Sequence, residues 1–216
     1  MRGIIDKISV VEVGTPFGKM CVIAKDNETD EDLHRVYGLM GYEMEVQKAV
    51  QALDFTHFVD IGAAFGFYSH WLSATGKTCV AVEVDEFRWA CLQRTSGNFE
   101  KIRAIIGKDP VYRGLNLYSM GDSRGNGHQL EYDEPKLRLS DLVERYNLPE
   151  STLWKLDIEG GEAGLFHSEP EIFERYQWLI ELHHFAMEPS QFRQLFSHRP
   201  IREVAMYEHR SIWIIG

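Results

Sequence analysis

Apolar residues in this chain recur with two periods that take turns along its length. Residues 4–13 and 17–24 cluster or alternate β-branched side chains on either side of Gly14–Gly18, which predicts an N-terminal hairpin. The acidic run Asp26–Asp32 is expected to be a solvated loop or the polar start of a helix. In residues 43–53, Met44, Val46, Val50 and Leu53 fall near one helical face. The chain then alternates: strand 55–61, helix 66–74, strand 78–84, helix 86–97, and strand 102–106 ending at Gly107. Residues 108–137 break the rhythm with Gly114, Gly121, Gly125 and Gly127, leaving room for a strand at 115–120. A loop of that length inside a compact domain is commonly functional. Regular structure returns in 137–146, with Ser140 or Asp141 as a helix cap. Strand 152–156 leads into helix 161–174, and strand 178–182 into helix 189–197. The last two β-rich runs, 201–207 and 211–215, are separated by three residues and should pair antiparallel. Strands alternating with helices imply a parallel sheet with right-handed crossovers, here closed by an antiparallel hairpin.

Composition narrows the class. At 216 residues the chain has room for one well-buried α/β domain. A formal charge of −10 argues against a phosphate-binding surface, because Lys and Arg dominate affinity for nucleic acid, so no nucleic-acid partner is expected. Cys21, Cys79 and Cys91 are odd in number and lack metal-site spacing, which fits reduced thiols of a cytoplasmic protein. No signal peptide is expected, and no apolar run approaches the ~20 residues needed to span a bilayer, so no membrane partner is expected either.

Candidate chemistry gathers at two places. Residues 59–68 read as a buried strand ending in a glycine turn, and the strand 78–84 carries Glu83 near its end. A strand–turn–helix–strand unit with such an acid lets a nucleoside ligand approach the backbone while a carboxylate holds its ribose. Gly62 and Gly66 flank Ala63, Ala64 and Phe65, so the third glycine of a dinucleotide fingerprint is missing. No Lys-Ser/Thr pair serves a triphosphate. Asp60, two residues before Gly62, suits a ligand with an amino-acid head, and S-adenosylmethionine is the obvious candidate. The second place follows the fourth strand of the alternating series, where Lys155, Asp157, Glu159 and Glu162 crowd into eight residues. Burying an unpaired carboxylate costs several kcal/mol, so such acids are solvated, paired or used.

These blocks resemble the FkbM-type methyltransferases. The resemblance rests on Val59–Tyr68, Ala81–Glu83, Leu139–Leu142 and Leu153–Glu162, with a weaker match at Leu179–His183 and a Tyr-Glu pair at Tyr42 and Glu43. It covers about residues 40–185. It departs from the family at Ala64, where Asn is frequent, at Val84, where Pro is frequent, and at Ser140, where the family has Asp. The resemblance implies a Rossmann-like class I methyltransferase fold: a mostly parallel seven-stranded sheet with an antiparallel C-terminal hairpin. Residues 1–40 would be a β-hairpin and acidic-loop extension bearing substrate specificity or an oligomer contact, and 41–216 the methyltransferase domain.

The cofactor implied is S-adenosylmethionine and the acceptor a small-molecule or sugar hydroxyl. Gly62, Ala63 and Gly66 would approach the cofactor's methionine moiety. Asp60 would fix the turn through amide hydrogen bonds and reach the ammonium through water. Glu83 would accept the ribose hydroxyls, and Asp109 would approach the adenine amino group. Asp157 and Glu159 would stand nearest the transferred methyl. His183 or Asp157 would take the acceptor's proton, with Glu181 on the same strand face as His183. Nothing in this pattern demands a metal. Two rivals are an NAD-dependent oxidoreductase and a binding module without turnover.

Overall fold

Alternating β-branched and aromatic residues build the centre of the sheet. Phe58 faces one core while Val59 and Ile61 face the other, so a five-residue strand is buried on both sides. The computed structural model describes residues 9–24, 28–38, 41–107, 116–117, 128–129 and 135–216. In chain order the elements begin with β1 (Ser9–Thr15) and β2 (Gly18–Ala24), α1 (Asp30–Leu33), a π-helical turn (His34–Gly38) and α2 (Met44–Gln51). Next come β3 (His57–Ile61), α3 (Phe67–Ala74), β4 (Thr78–Glu83), α4 (Glu86–Arg94) and β5 (Glu100–Arg103). Short strands β6 (Ile105–Ile106), β7 (Asn116–Leu117), β8 (His128–Gln129) and β9 (Lys136–Leu137) precede α5 (Leu139–Tyr146). The chain ends with β10 (Thr152–Leu156), α6 (Glu162–Ser168), α7 (Pro170–Arg175), β11 (Gln177–His183), α8 (Pro189–Leu195), β12 (Ile201–Met206) and β13 (Arg210–Ile215).

Seven strands form the main sheet in the order β12-β13-β11-β10-β3-β4-β5. The five strands from β11 to β5 run parallel, and β13 and β12 close the edge antiparallel. The chain leaves β3 toward β4 and β5, then returns to β10 on the other side. That reversal is a topological switch point, and ligands bind beyond the carboxyl ends of the strands there.

One core packs Trp154, Trp178 and Trp213 against α5 to α8. The opposite core joins Phe58, Leu153 and Trp71 to Val13, Met20 and Val22 of the N-terminal hairpin, so the hairpin shares its core with the sheet.

Several expected boundaries shift for local reasons. The helix expected over 161–174 is two helices, because Pro170 starts a new one and Glu169 between them is non-helical. Glu169 is buried, and its carboxylate accepts from Leu139 N at 2.9 Å and Ser140 N at 3.0 Å at the start of α5. Neither Ser140 nor Asp141 is the cap residue of α5; Asp141, one turn in, reaches back to Arg138 N at 2.8 Å. Met44 is exposed rather than facing the core. Part of the acidic run does start a helix, with Thr29 capping α1. Of the strand expected at 115–120, only Asn116–Leu117 is described; it pairs with His128–Gln129.

Candidate active site

β3 and β10 end side by side, and their backbones touch. Asp157 N donates to Ile61 O at 3.0 Å. Gly62 has φ +76, and a Cβ placed on it would run into the Asp157 carbonyl. Only glycine fits that corner. Gly66, with φ +81, enters α3 where a side chain would collide with Leu92 of α4. Ala64 is also left-handed, at φ +50.

The turn is held from β4. Gly62 N and Ala63 N both donate to Val82 O at 3.0 Å, and Ala64 N donates to Glu83 Oε2 at 2.7 Å. The amides of Gly62, Ala63 and Ala64 therefore bond to Val82 and Glu83 rather than to Asp60. Asp60 is buried beneath the turn, its Oδ2 accepts from Ser69 Oγ at 3.0 Å, and Lys155 Nζ stands 4.0 Å from its Oδ1.

Glu83 is nearly buried, and its Oε1 accepts from Val84 N and Asp85 N, each at 2.8 Å. A carboxylate offers about four lone-pair sites. Three are taken by amides, so Glu83 has room for one further donor rather than a pair of ribose hydroxyls. Burial pushes its carboxyl pKa up against the opposing pull of Arg88 and those amides.

The loop after β10 folds around a fully buried acid. Glu162 Oε1 accepts from Ile158 N at 3.1 Å, from Gly160 N at 3.2 Å and lies 3.1 Å from His183 Nδ1. His183 Nε2 faces Glu159 Oε2 at 3.4 Å and Glu181 Oε1 at 3.8 Å. Burial alone would lower the imidazole pKa, but hydrogen bonds to Glu159 and Glu162 and the fields of Glu162 and Asp157 outweigh it and push it up to about 11. His183, one of the two residues expected as a general base, thus has both ring nitrogens turned to carboxylates, which favours its protonated form.

Lys155 Nζ lies 3.1 Å from Asp157 Oδ2. Burial acts to raise Asp157, yet Lys155, His183 and Arg88 hold its carboxyl below the usual range. Glu159, held at φ +55, is lowered likewise: burial is outweighed by His183 and Arg88. Glu181 goes the other way. Burial and the neighbouring Asp157 push it up to about 7 despite Lys155 and Arg210, and Arg210 bonds its Oε1. Arg210 also approaches Glu43 Oε1 at 3.7 Å, and Glu43 Oε2 accepts from Tyr68 Oη at 2.7 Å.

Two cavities lie at these strand ends. The smaller, about 40 Å³, is walled by Ile61, Val82, Ile105, Ile106 and Ile158 with Glu83 at its edge. The larger, about 310 Å³, has aromatic walls of Tyr37, Tyr42, Phe65 and Phe67 and a polar wall of Lys155, Asp157, Glu181 and Arg210. Gly62, Arg88, Asp157 and Glu159 line both. Apolar walls beside an acid match part of a nucleoside, and an adjoining carboxylate-rich chamber suits a cationic amino-acid end. These residues therefore fit S-adenosylmethionine.

Of the expected residues, Gly62, Glu83, Asp157 and Glu159 meet at the smaller cavity. Gly62, Ala63, Asp157 and Glu159 meet at the larger. Asp60 and His183 stand behind them, Gly66 packs on α4, and Asp109 lies outside the described residues. Sequence reasoning missed Arg88 and Arg210, and singled out Glu43 only as half of the Tyr42–Glu43 pair, without a role. Arg88 had a signal: Asp85 caps α4 by accepting from Arg88 N at 2.8 Å, which fixes residue 88 in the first turn above Glu83.

Comparison with known proteins supplies the family. The FkbM methyltransferase domain matches residues 60–204, well over half of the chain. No curated protein matches. Among solved structures, an FkbM methyltransferase from Methylobacillus flagellatus KT superposes with TM-score 0.51 at 14% identity, over 77% of this chain and 45% of that one. The chain thus spans less than half the length of that protein. A precorrin-6y C5,15-methyltransferase from Geobacter metallireducens GS-15 gives TM-score 0.45 at 9% identity, covering 80% of this chain and 85% of that one. A T. thermophilus 16S rRNA N2 G1207 methyltransferase in complex with AdoMet and guanosine gives 0.46 at 10%, covering 97% and 51%. With the family match the dinucleotide alternative falls away: the chain belongs to the FkbM methyltransferase domain family and is an S-adenosylmethionine-dependent methyltransferase.

Proposed function

We propose that this enzyme methylates a hydroxyl of a small molecule or sugar bound in the larger cavity. The observation that carries this reading is the junction of the two cavities at Gly62, Arg88, Asp157 and Glu159, where a cofactor reaching across both would present its methyl group to an acceptor in the remainder of the larger one. The bound cofactor supplies an electrophilic methyl group on a sulfonium. The protein's own part is to hold an acceptor oxygen in line, at about 3 Å, and to receive its proton.

In this reading Gly62, Ala63 and Gly66 shape the turn against which the cofactor lies, with Asp60 and its Lys155 partner supporting it from below. Glu83 accepts one ribose hydroxyl through its remaining lone pair. Asp157 receives the acceptor's proton, being ionised through the neutral range and placed on the wall common to both cavities. Glu159 faces the same junction. His183 acts from behind, as the cation that balances Glu159 and Glu162. The aromatic wall and the net charge of −10 favour an uncharged acceptor over a polyphosphate. Residues 1–40 form a specificity-bearing extension on domain 41–216.

The test is incubation with methyl-labelled S-adenosylmethionine against a panel of polyols, sugars and phenols, with total RNA as a separate arm. Label in a small-molecule ether supports the proposal. Label in RNA alone, or on carbon or nitrogen of the small molecules, overturns it.

A further inference from the structure

Arg88 and Glu159 come from opposite sides of the cleft and meet across it, with Nη2 3.4 Å from Oε1. Their side chains are 23% and 22% exposed, and both residues line both cavities. Glu159 has a second counter-ion in place, 3.4 Å away at His183 Nε2, and Arg88 lies in the field of the Glu83 carboxylate. The contact is single and long, so it can part without leaving either charge bare.

The other two residues of the common wall are less free. Gly62 is locked against the Asp157 carbonyl, and Asp157 is bonded to Lys155. The residues shared by a nucleoside cavity and an amino-acid cavity surround the point where those halves of the cofactor join, which is its sulfur. At that point Arg88 decides how much negative charge Glu159 presents. A carboxylate released there favours a cationic sulfonium over a neutral thioether, whereas a carboxylate held by a guanidinium favours neither.

We propose that the Arg88–Glu159 ion pair sets the enzyme's preference for S-adenosylmethionine over its demethylated product, S-adenosylhomocysteine. Glu159 is the residue that discriminates and Arg88 the residue that masks it. The inference rests on placing the cofactor across both cavities. It makes the two partners of one ion pair act in opposite directions, which a purely structural bridge would not do.

Calorimetric titration with S-adenosylmethionine and with S-adenosylhomocysteine, on the full chain, tests this without any acceptor. The readout is the ratio of the two dissociation constants. Glu159→Gln should shift that ratio about tenfold toward the product. Arg88→Gln should shift it severalfold toward S-adenosylmethionine, and Arg88→Lys should restore the wild-type ratio. Melting curves identify any variant that fails to fold, and Glu159→Ala and Arg88→Met then stand in. Shifts of the same sign in the two substitutions, or an unmoved ratio in both, overturn the role of the pair while leaving the cofactor site intact. A wild-type protein that binds neither compound overturns the placement of the cofactor and this inference with it.

Discussion

The backbone amide of Ala64 donates to the Glu83 carboxylate at 2.7 Å, which ties the turn after β3 to the tip of β4. The acid that the resemblance assigns to the ribose is therefore also a clasp for the chain around it. Together with Val84 N and Asp85 N, it carries three charge-assisted hydrogen bonds in a nearly dry setting.

Glu83→Ala should consequently lower stability as well as cofactor affinity. Hydrogen bonds to charged groups contribute about 1.5–3 kcal/mol each and do not add fully, so a loss of about 3 kcal/mol or more is expected. For a domain of this size that is a fall of roughly 6–12 °C in Tm. Calorimetric melting checks it. A variant that melts like the wild type would show that the three amides find other partners.

Ala64 sits at φ +50, where a Cβ is strained and asparagine is tolerated. Ala64→Asn should raise stability by about 1 kcal/mol, or roughly 2–4 °C in Tm. The measurement is a thermal melt, and an unchanged or lower Tm would mean that the amide side chain meets an obstacle.

Gly62→Ala should be among the most damaging single substitutions. It combines a left-handed residue with a Cβ driven into the Asp157 carbonyl, costing about 3 kcal/mol or more from strain and overpacking. Denaturant titration should show a lower midpoint, together with loss of S-adenosylhomocysteine binding as the β3 and β10 tips separate.

His183 makes stability fall toward alkaline pH. Its folded pKa of about 11 lies above the ordinary histidine value of about 6.5, so the folded state holds this proton more tightly than the unfolded chain. The stabilisation is complete below about pH 6.5 and is lost progressively as pH rises toward 11, by at most about 1.4 kcal/mol per pH unit. His183→Gln should flatten the fall of Tm between pH 7 and 10. An equally steep fall in that variant would place the titrating group elsewhere.

Much of the architecture was legible because burial writes itself into local pattern. The run ending at Ile61 and the two closing runs around Glu208–Arg210 each carry enough β-branched and aromatic residues to define strands unaided. The acids of 157–162 were legible as a site because three of them fall within six residues. What sequence could not give was pairing across the fold. Arg88 meets Glu159, Arg210 meets Glu181 and Glu43 meets Tyr68 through strand order and helix placement. The surroundings of His183 follow from such pairing, so an imidazole that reads as a free base has a carboxylate at each ring nitrogen once Glu159 and Glu162 close on it.

Ile23, Glu28, Tyr37 and Tyr42 precede residue 60, Arg210 follows residue 204, and all five line the larger cavity. The stretch held in common with the family furnishes the nucleoside side, whereas its flanks furnish the outer rim of the neighbouring chamber. Descendants of one ancestor could thus re-key that rim, exchanging an entire hairpin or a single ring, while every strand of the central sheet stays as it was.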